Sequence, residues 1–218
     1  MGLPLHDVAP REGWRWILRG LLLWRSRPLV FIGMVLAFVL GTLSLAATVP
    51  VLESARLRLR APDVRDFAAY AEIFTSDRAR HMGGPYSREG AWHDFCQAVA
   101  SWMLRGMGVW SIERKADGVL VGFGYLWQEF GDAEPEIGWV LTLEAEGNGY
   151  ASEAAAAILP HAMALFGAGG VVSYIDADNH RSARVAEKLG ARRDPAAEAA
   201  LQEDDLHIYR HFGPEDRA

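Results

Sequence analysis

The alternation of apolar and polar residues predicts where the strands of this chain lie. Leu57 and Leu59 alternate with arginines, which is typical of a half-buried strand, so we predict a first strand over residues 52–60. An Asp-Gly pair at 117–118 lies between two apolar runs and indicates a hairpin. The apolar runs predict five more strands, over residues 109–114, 119–130, 136–143, 171–176 and 206–212.

Helices are predicted from residues that begin and end them, such as Pro62, Ser87 and the glycines at 167 and 190. We expect Trp92 and Trp102 to lie in the core. The order of elements predicts an α/β (α+β) domain in which a mixed, mostly antiparallel sheet is flanked by helices. The predicted helices cover residues 62–74, 87–105, 150–166 and 179–189.

The stretch Glu136–Ala151 runs from a strand through a loop with two glycines into an alanine-rich helix. The unpaired N–H groups of a first helical turn attract anions, so the stretch indicates a phosphate cradle. An ordinary strand-to-helix turn is the alternative. A degenerate dinucleotide loop of an oxidoreductase is another, but Ser152 replaces its third glycine and Asp176 lies beyond the usual spacing of the ribose ligand.

Charge is unevenly distributed along the chain. The net charge is −6, and residues 1–52 hold five arginines against two acidic residues (+3), so residues 53–218 carry −9. An acidic body argues against a nucleic-acid partner and is compatible with an amine or a cationic peptide. The single cysteine excludes an internal disulfide. His207 and His211 lack further ligands nearby in the sequence, so we expect no metal.

Residues 29–49 form a charge-free stretch of 21 residues. As a helix it would be about 32 Å long, enough to cross a hydrocarbon core of about 30 Å, so it is a transmembrane candidate. Arginines flank it on both sides, and the positive-inside rule does not choose an orientation. Two other interpretations stay open. One is a secretory signal with Ser44-Leu45-Ala46 as the cleavage site. The other is a mis-assigned translation start, which makes residues 1–48 an extension.

Three motifs in register, EIGWVL, EGNGYASEA and YIDADNHRSARVAEKLGAR, resemble the GNAT-type N-acetyltransferases. The resemblance is to the branch of the ribosomal-protein N-terminal acetyltransferases RimJ and RimL, whose first strand and helix are similar to VLESARLRLRAPDVRDF. It covers about Val51–Phe212 and predicts a catalytic domain over residues 51–213, with residues 214–218 as a tail. It also implies a twisted sheet with a V-shaped splay between the fourth and fifth predicted strands.

The resemblance implies acetyl-CoA as the cosubstrate. Its pyrophosphate would be held by the loop, where Glu146 stands in place of the usual Gln or Arg. Its pantetheine arm would pair with the fourth strand, and Asn179 and Ser182 would contact the pantetheine amide and the sulfur. An alternative for Asn179 is a helix N-cap alone. The implied cofactor-binding residues are Val140, Leu141, Leu143, Gly147, Gly149, Tyr150, Ala151, Asn179 and Ser182.

The same resemblance implies direct attack of a primary amine on the thioester in a ternary complex. A backbone N–H near Val140 or Leu141 would face the thioester carbonyl. Glu136 is the first candidate for the base, and Ser182 for the proton relay to the thiolate. A solvated strand-end carboxylate is the alternative for Glu136.

The acceptor amine would bind near the segment His81–Tyr86, with Trp139 as a pocket wall. The acceptor is a protein N-terminal α-amine or a small-molecule amine, and the protein a monomer or homodimer. Since acetyl-CoA is cytosolic, we expect a cytoplasmic catalytic domain, anchored to the inner face of the membrane if residues 29–49 span it. The alternative function is a catalytically weak or inactive adaptor with the same fold, in which Glu146 impairs cofactor binding.

Overall fold

The computed structural model describes residues 48–167, 170–201 and 205–212, together with three isolated helical positions, Leu29, Ile32 and Leu36. The chain divides into two compact units, Met1–Ala47 and Thr48–Ala218. The hydrophobic segment predicted over residues 29–49 lies mainly outside the described residues, and the tail over residues 214–218 lies wholly outside them. Among the residues that are described, no helix is both long and apolar enough to cross a bilayer.

The described part of the second unit forms one sheet with the strand order β1-β2-β3-β4-β5-β6-β8-β7. Every neighbouring pair is antiparallel except β5 and β6, which are parallel. The predicted mixed, mostly antiparallel sheet is therefore confirmed. Its strands are β1 (Leu52–Glu53), β2 (Leu57–Arg60), β3 (Val109–Arg114), β4 (Val119–Trp127), β5 (Glu136–Leu141), β6 (Val171–Asp176), β7 (Arg192–Arg193) and β8 (Leu206–Phe212).

Five α-helices lie in the described residues, and three short 3₁₀ turns connect elements at Val64–Asp66, Asp77–Met82 and Leu143–Ala145. The third helix, β6 and β8 have the predicted bounds. The last helix buries none of its residues and so has no apolar stripe by which the sequence could predict it. The helices are α1 (Phe67–Phe74), α2 (Arg88–Arg105), α3 (Tyr150–Phe166), α4 (His180–Lys188) and α5 (Pro195–Leu201).

The first predicted strand is in fact two strands, β1 and β2, joined by a turn. The Ser54 hydroxyl accepts a hydrogen bond from the Leu57 N–H at 3.0 Å and donates one to Glu153 at 2.7 Å, which fixes the turn against α3. Leu57 and Leu59 are both fully buried, as their alternation predicts. The period-2 pattern thus identified the buried face correctly but not the interruption.

The sheet carries a hydrophobic core on each face. One core packs α3 against β2, β3 and β5, and the other packs α1 and α2 against the sheet around Phe123. Trp102 is buried as predicted, and its indole N–H donates to the Val109 carbonyl at 2.9 Å. The prediction for Trp92 is wrong. Its side chain is 39% exposed and packs edge-on against Phe67, because it lies beside the buried stripe of α2 and not on it.

The parallel strands β5 and β6 are paired at one end only. Their register contains a single pair, Glu136 with Val172, and the Val172 N–H donates to the Pro135 carbonyl at 3.1 Å. Beyond that pair the strands separate. This is the splay expected between the fourth and fifth predicted strands.

Candidate active site

A cavity of about 1120 Å³ opens where β5 and β6 separate. All but one of the candidate catalytic, cofactor-binding and acceptor-binding residues line it. The exception is Tyr150, whose ring is buried in the core beneath the Arg56 guanidinium, 4.7 Å from the ring centroid. The residues of this set that line the cavity are His81, Tyr86, Glu136, Trp139, Val140, Leu141, Leu143, Gly147, Gly149, Ala151, Asn179 and Ser182.

The loop between β5 and α3 presents free backbone amides to this cavity. Gly147 and Gly149 both have φ of 77°, the left-handed region that favours glycine, and Gly149 is the N-cap of α3. Within the described part of the chain, the N–H groups of Gly147, Gly149, Tyr150 and Ala151 donate no hydrogen bond. A Cβ on Gly147 would meet nothing within 4 Å. Free amides at the positive end of a helix dipole form a site for an anion.

A polar scaffold that the sequence did not reveal holds this loop in place. The Asn148 amide donates to the carbonyls of Ala145 and Glu146, at 3.1 Å each, and so closes the loop on itself. Arg56 donates to the Asn148 carbonyl at 3.0 Å and pairs with Glu153 on α3 at 2.6 Å. The loop is thereby tied to the turn before β2, 92 residues away in the chain.

Glu146 does not stand beside the loop as an isolated negative charge. Arg78 and Arg181 each contact its carboxylate at 2.6 Å. Burial alone would raise the pKa of Glu146, but the hydrogen bonds from Arg181 and Arg78 outweigh it and hold the pKa below its ordinary value. The three side chains carry a net charge of about +1, so the acidic residue at this position does not make the site negative.

A serine hydroxyl occupies the point where the two strands part. Ser173 is buried, and its hydroxyl donates to the Ile137 carbonyl at 2.6 Å. The Nε2 atom of His211 lies 2.9 Å from the same hydroxyl. Burial lowers the pKa of His211 to about 4, so its imidazole is neutral at neutral pH. The hydroxyl thus replaces the next backbone hydrogen bond of the β5–β6 ladder, and beyond it the edge of β5 is open.

The backbone groups of β5 alternate between its two neighbours. The carbonyls of residues 135 and 137 point to β6, whereas the Thr142 N–H donates to the Val121 carbonyl of β4 at 2.9 Å. The N–H groups of Trp139 and Leu141 therefore face the gap. The Val140 N–H faces β4, so of the two amides considered from the sequence only that of Leu141 faces the gap. Val140 contributes its side chain to the cavity wall instead.

Leu143 does not belong to the strand predicted over residues 136–143, because that strand ends at Leu141. It lies beyond the end of β5 in the 3₁₀ turn Leu143–Ala145, and its side chain is 61% exposed. Arg78 donates to the Leu141 carbonyl at 2.6 Å and so occupies the last acceptor of β5 on the side of the gap. The strand that faces the gap is therefore shorter than predicted.

Glu136, the first residue of β5, is half-buried at the cavity. Its pKa is raised to about 7, first by burial and then by the negative charges of Asp132 and Glu129, against a hydrogen bond from the Tyr174 N–H. A carboxylate with this pKa is partly ionised at neutral pH and can accept and release a proton there.

Asn179 and Ser182 lie at the start of α4. The Asn179 side-chain oxygen accepts a hydrogen bond from the Ser182 N–H at 3.2 Å, so Asn179 is the N-cap of this helix, as in the alternative considered from the sequence. Its amide nitrogen is not used by the cap. Within the described residues, the Ser182 hydroxyl has no hydrogen-bond partner. Both side chains retain groups that can contact a ligand.

His81 lies in the turn Asp77–Met82, and its ring nitrogens are engaged. Nδ1 is 2.7 Å from the Asp176 carboxylate and 3.5 Å from that of Asp178, and Nε2 accepts from Arg80 at 2.9 Å. One atom from each of His81, Asp176 and Asp178 lies within 4.8 Å of the other two. This grouping is the nearest approach to a metal-ligand set among the described residues. Tyr86, also predicted to contact the acceptor, donates its hydroxyl to the Met82 carbonyl at 2.9 Å.

Sequence reasoning missed a polar cluster at the Glu136 end of the cavity. Tyr70 on α1 donates its hydroxyl to Asp94 on α2, and both line the cavity together with Tyr125 on β4. The sequence contained one indication of this cluster. Asp94 lies on the same face of α2 as the buried residues Ala91, Phe95 and Ala98, where a carboxylate is unexpected.

The fold and this site have the features of one enzyme class. A mostly antiparallel sheet contains a splayed parallel pair, and a glycine loop beside it opens a helix. The chain belongs to the acetyltransferase (GNAT) domain family, whose model matches residues 56–192. It is therefore an N-acetyltransferase, and the family expected from the three sequence motifs is confirmed.

Individual members of the family are similar to this chain. An acetyltransferase from Agrobacterium tumefaciens strain C58 is 34% identical with a TM-score of 0.68, covering 74% of this chain and 94% of that one. YnaD, an uncharacterized N-acetyltransferase of Bacillus subtilis strain 168, is 36% identical over 75 residues, which are 34% of this chain and 44% of YnaD. RimL, a ribosomal L7/L12 alpha-N-protein acetyltransferase solved with coenzyme A, shares the fold. Its TM-score is 0.60 at 19% identity, with 77% and 100% of the two chains covered.

Proposed function

We propose that this protein transfers the acetyl group of acetyl-CoA to a primary amine by direct attack in a ternary complex. The single observation that carries the proposal is the opening of β5 beside the glycine loop. A free strand edge suits an extended amide chain and free loop amides suit a diphosphate, and the two meet at one cavity. The RimL structure with coenzyme A supports this choice of donor, because the two proteins share the fold.

The donor would lie along two backbone surfaces. The loop amides from Gly147 to Ala151 would bind the diphosphate, and the backbone groups of Trp139 and Leu141 that face the gap would pair with the pantetheine amides. Leu143, Asn179 and Ser182 would contact the same arm from the cavity walls. Bound acetyl-CoA supplies an activated thioester, and the residues of this chain orient it and handle the protons.

Glu136 is the proposed general base. Its carboxylate takes a proton from the ammonium form of the acceptor, directly or through water, and the free amine then attacks the acetyl carbonyl. The C–N bond forms and the C–S bond breaks, and the proton that the attacking nitrogen loses passes to the CoA thiolate through the Ser182 hydroxyl or through water. The oxyanion would face the N–H of Leu141 or of Trp139. Trp139 is the nearer of the two to Glu136, about 10 Å along the strand.

The acceptor class remains part of the proposal. RimL is named as a protein N-terminal acetyltransferase, and a protein N-terminus or a small-molecule amine would both supply the primary amine required here. Since acetyl-CoA is a cytosolic metabolite, we propose that the catalytic unit works in the cytoplasm, whether or not residues 29–49 tether it to a membrane.

The test begins with donor binding to the full chain, followed by turnover. We expect calorimetry to give a dissociation constant for acetyl-CoA in the micromolar range, and amine-dependent release of free thiol from acetyl-CoA. Mass spectrometry should find the acetylated amine. No binding at millimolar acetyl-CoA would overturn the proposal and leave the adaptor alternative standing.

A further inference from the structure

The Glu136 end of the cavity contains a set of polar side chains that the proposed acetyl transfer does not use. Tyr70 donates its hydroxyl to Asp94, and the hydroxyl of Tyr125 lies near both. The Tyr125 oxygen is buried beside the Tyr70 hydroxyl, and within the described residues it makes no hydrogen bond of good geometry. Since Tyr70 donates its proton to Asp94, the buried Tyr125 oxygen can still accept a hydrogen bond from a ligand.

The same end of the cavity is acidic and has no cation of its own. Asp94, Glu129 and Glu136 all line it. None of these three carboxylates forms an ion pair with a basic side chain in the part of the chain that the structure describes. Burial raises the pKa of Asp94, as expected for a carboxylate that lacks a compensating positive charge.

The basic residues that line the cavity are engaged elsewhere or lie on other elements. Arg78 and Arg181 pair with Glu146 beside the glycine loop, and Arg80 donates to His81. Arg184 and Lys188 belong to α4, which packs against α3, β6 and β8. The carboxylates at the Glu136 end of the cavity are thus unpaired among the described residues, whereas Arg78 and Arg181 are paired with Glu146 beside the glycine loop.

We infer that Asp94, together with the hydroxyls of Tyr70 and Tyr125, binds a second positive charge on the acceptor, and that the acceptor is a short aliphatic diamine or polyamine. One amine would lose its proton to Glu136 and attack the thioester. The other, still an ammonium ion, would be held by Asp94. The inference rests on the proposed acetyl transfer and names its substrate class.

The walls between these two points suit a methylene chain. Phe74 and Trp127 line the same part of the cavity, and the rings of Phe74 and Tyr70 are stacked with centroids 4.2 Å apart. An ammonium ion donates three hydrogen bonds, and here a carboxylate and the Tyr125 hydroxyl are available as acceptors. A monoamine of the same length would leave Asp94 desolvated and unpaired, which is the physical basis for discrimination.

The experiment compares 1,4-diaminobutane with butylamine, which differs only in lacking the second amine. The full chain is assayed with saturating acetyl-CoA by release of free thiol. We expect kcat/KM for the diamine to exceed that for butylamine by roughly 10- to 100-fold, the range of a hydrogen-bonded charge. In Asp94→Asn this preference should fall by about the same factor, mainly through KM for the diamine.

Two further variants separate recognition from folding. Tyr125→Phe removes a hydroxyl that makes no well-aligned hydrogen bond within the described residues, so it should fold normally and reduce the preference by a few-fold. Glu72→Gln, which removes an exposed carboxylate on α1, should leave the preference unchanged. Unchanged affinity for acetyl-CoA in Asp94→Asn shows that the donor site is intact.

The outcomes distinguish this inference from the proposed function. Turnover of both amines with equal kcat/KM overturns the diamine assignment and leaves acetyl transfer in place. A faster reaction with a neutral tripeptide than with the diamine overturns it in favour of a protein N-terminus. An equal loss for both amines in Asp94→Asn shows a structural role and also overturns it. Absence of thiol release with every amine overturns the proposed function itself.

Discussion

The environment of Glu136 differs from that of an exposed carboxylate in a way that suits a general base. It lies at the first residue of β5, half-buried in the cavity, and burial is the main cause of its raised pKa of about 7. The ionised form is needed to accept a proton, so activity should rise as pH increases through 7. Below that pH the carboxylate holds a proton and cannot act as a base.

We predict that Glu136→Gln lowers kcat by roughly a hundredfold or more, with little change in the affinity for acetyl-CoA. The rise of kcat/KM near pH 7 should disappear in this variant. The measurement is a pH–rate profile of both proteins, with Glu72→Gln as the matched control on an exposed surface. A variant that keeps the wild-type profile would show that Glu136 is a structural carboxylate.

The second prediction for a single residue concerns Gly149, the N-cap of α3. We expect Gly149→Val to abolish measurable CoA binding, because the side chain would occupy the approach to the loop amides and the residue would have to keep φ at 77°. A left-handed conformation costs an L-residue roughly 1–2 kcal/mol, so some loss of stability is expected as well. Calorimetry with CoA gives the result.

Gly118→Val is the matched control for this strain. Gly118 has φ of 70° in the β3–β4 hairpin, and a Cβ there would meet nothing within 4 Å. This variant should show a similar loss of stability with unchanged CoA binding. If both variants bind CoA like the wild type, the loop is not the diphosphate site.

At the scale of elements, three segments converge on Glu146. Arg78 comes from the 3₁₀ turn after α1, Glu146 from the loop before α3, and Arg181 from α4. Arg78 also bonds the last carbonyl of β5. The acidic residue therefore holds two positive charges beside the loop, which accounts for a residue type that differs from the Gln or Arg usual at this position.

We predict that Arg181→Ala weakens CoA binding by about two- to fivefold, since an exposed charge contributes modestly. The difference should vanish at high salt, where exposed charges are screened. The measurement is a titration with CoA at low and high ionic strength. Arg58→Ala, which removes an exposed arginine on β2 that is paired with Glu53 on β1, should bind CoA like the wild type. A loss that persists at high salt would contradict an electrostatic role for Arg181.

At the scale of the whole molecule, the acetyltransferase fold belongs to the unit Thr48–Ala218. Val49 is part of its core, and the Pro50 carbonyl accepts a hydrogen bond from the Trp110 indole at 2.8 Å. These contacts set the boundary of the unit several residues before its first strand.

We predict that a fragment comprising residues 48–218 folds and binds CoA like the full chain. A fragment that begins at Leu52 loses the Val49 packing and the Trp110 hydrogen bond, and should be less stable by roughly 2–5 kcal/mol. Urea unfolding of the two fragments measures the difference. Aggregation of the longer fragment would show that residues 1–47 are needed for folding.

Much of the fold could be predicted because its signals are local. Alternation at Leu57 and Leu59, the caps at Ser87 and Asn179 and the glycine after α3 each depend on a few neighbouring residues, and all lie as predicted. The exposed helix α5 and the two-residue strand β7 carry no such pattern, so the sequence did not reveal them.

The sequence by itself determined the order of the longer elements, the glycine loop and the family. Only the tertiary structure decided which groups meet there. Arg78 and Arg181 reach Glu146 from 68 and 35 residues away, and Tyr70 reaches Asp94 from another helix. It also decided that the Leu141 N–H faces the gap and that of Val140 does not, because this depends on the pairing of β5 with β4. Caps and periodicity arise from neighbours in the chain, whereas ion pairs and strand register arise from the path of the chain in space.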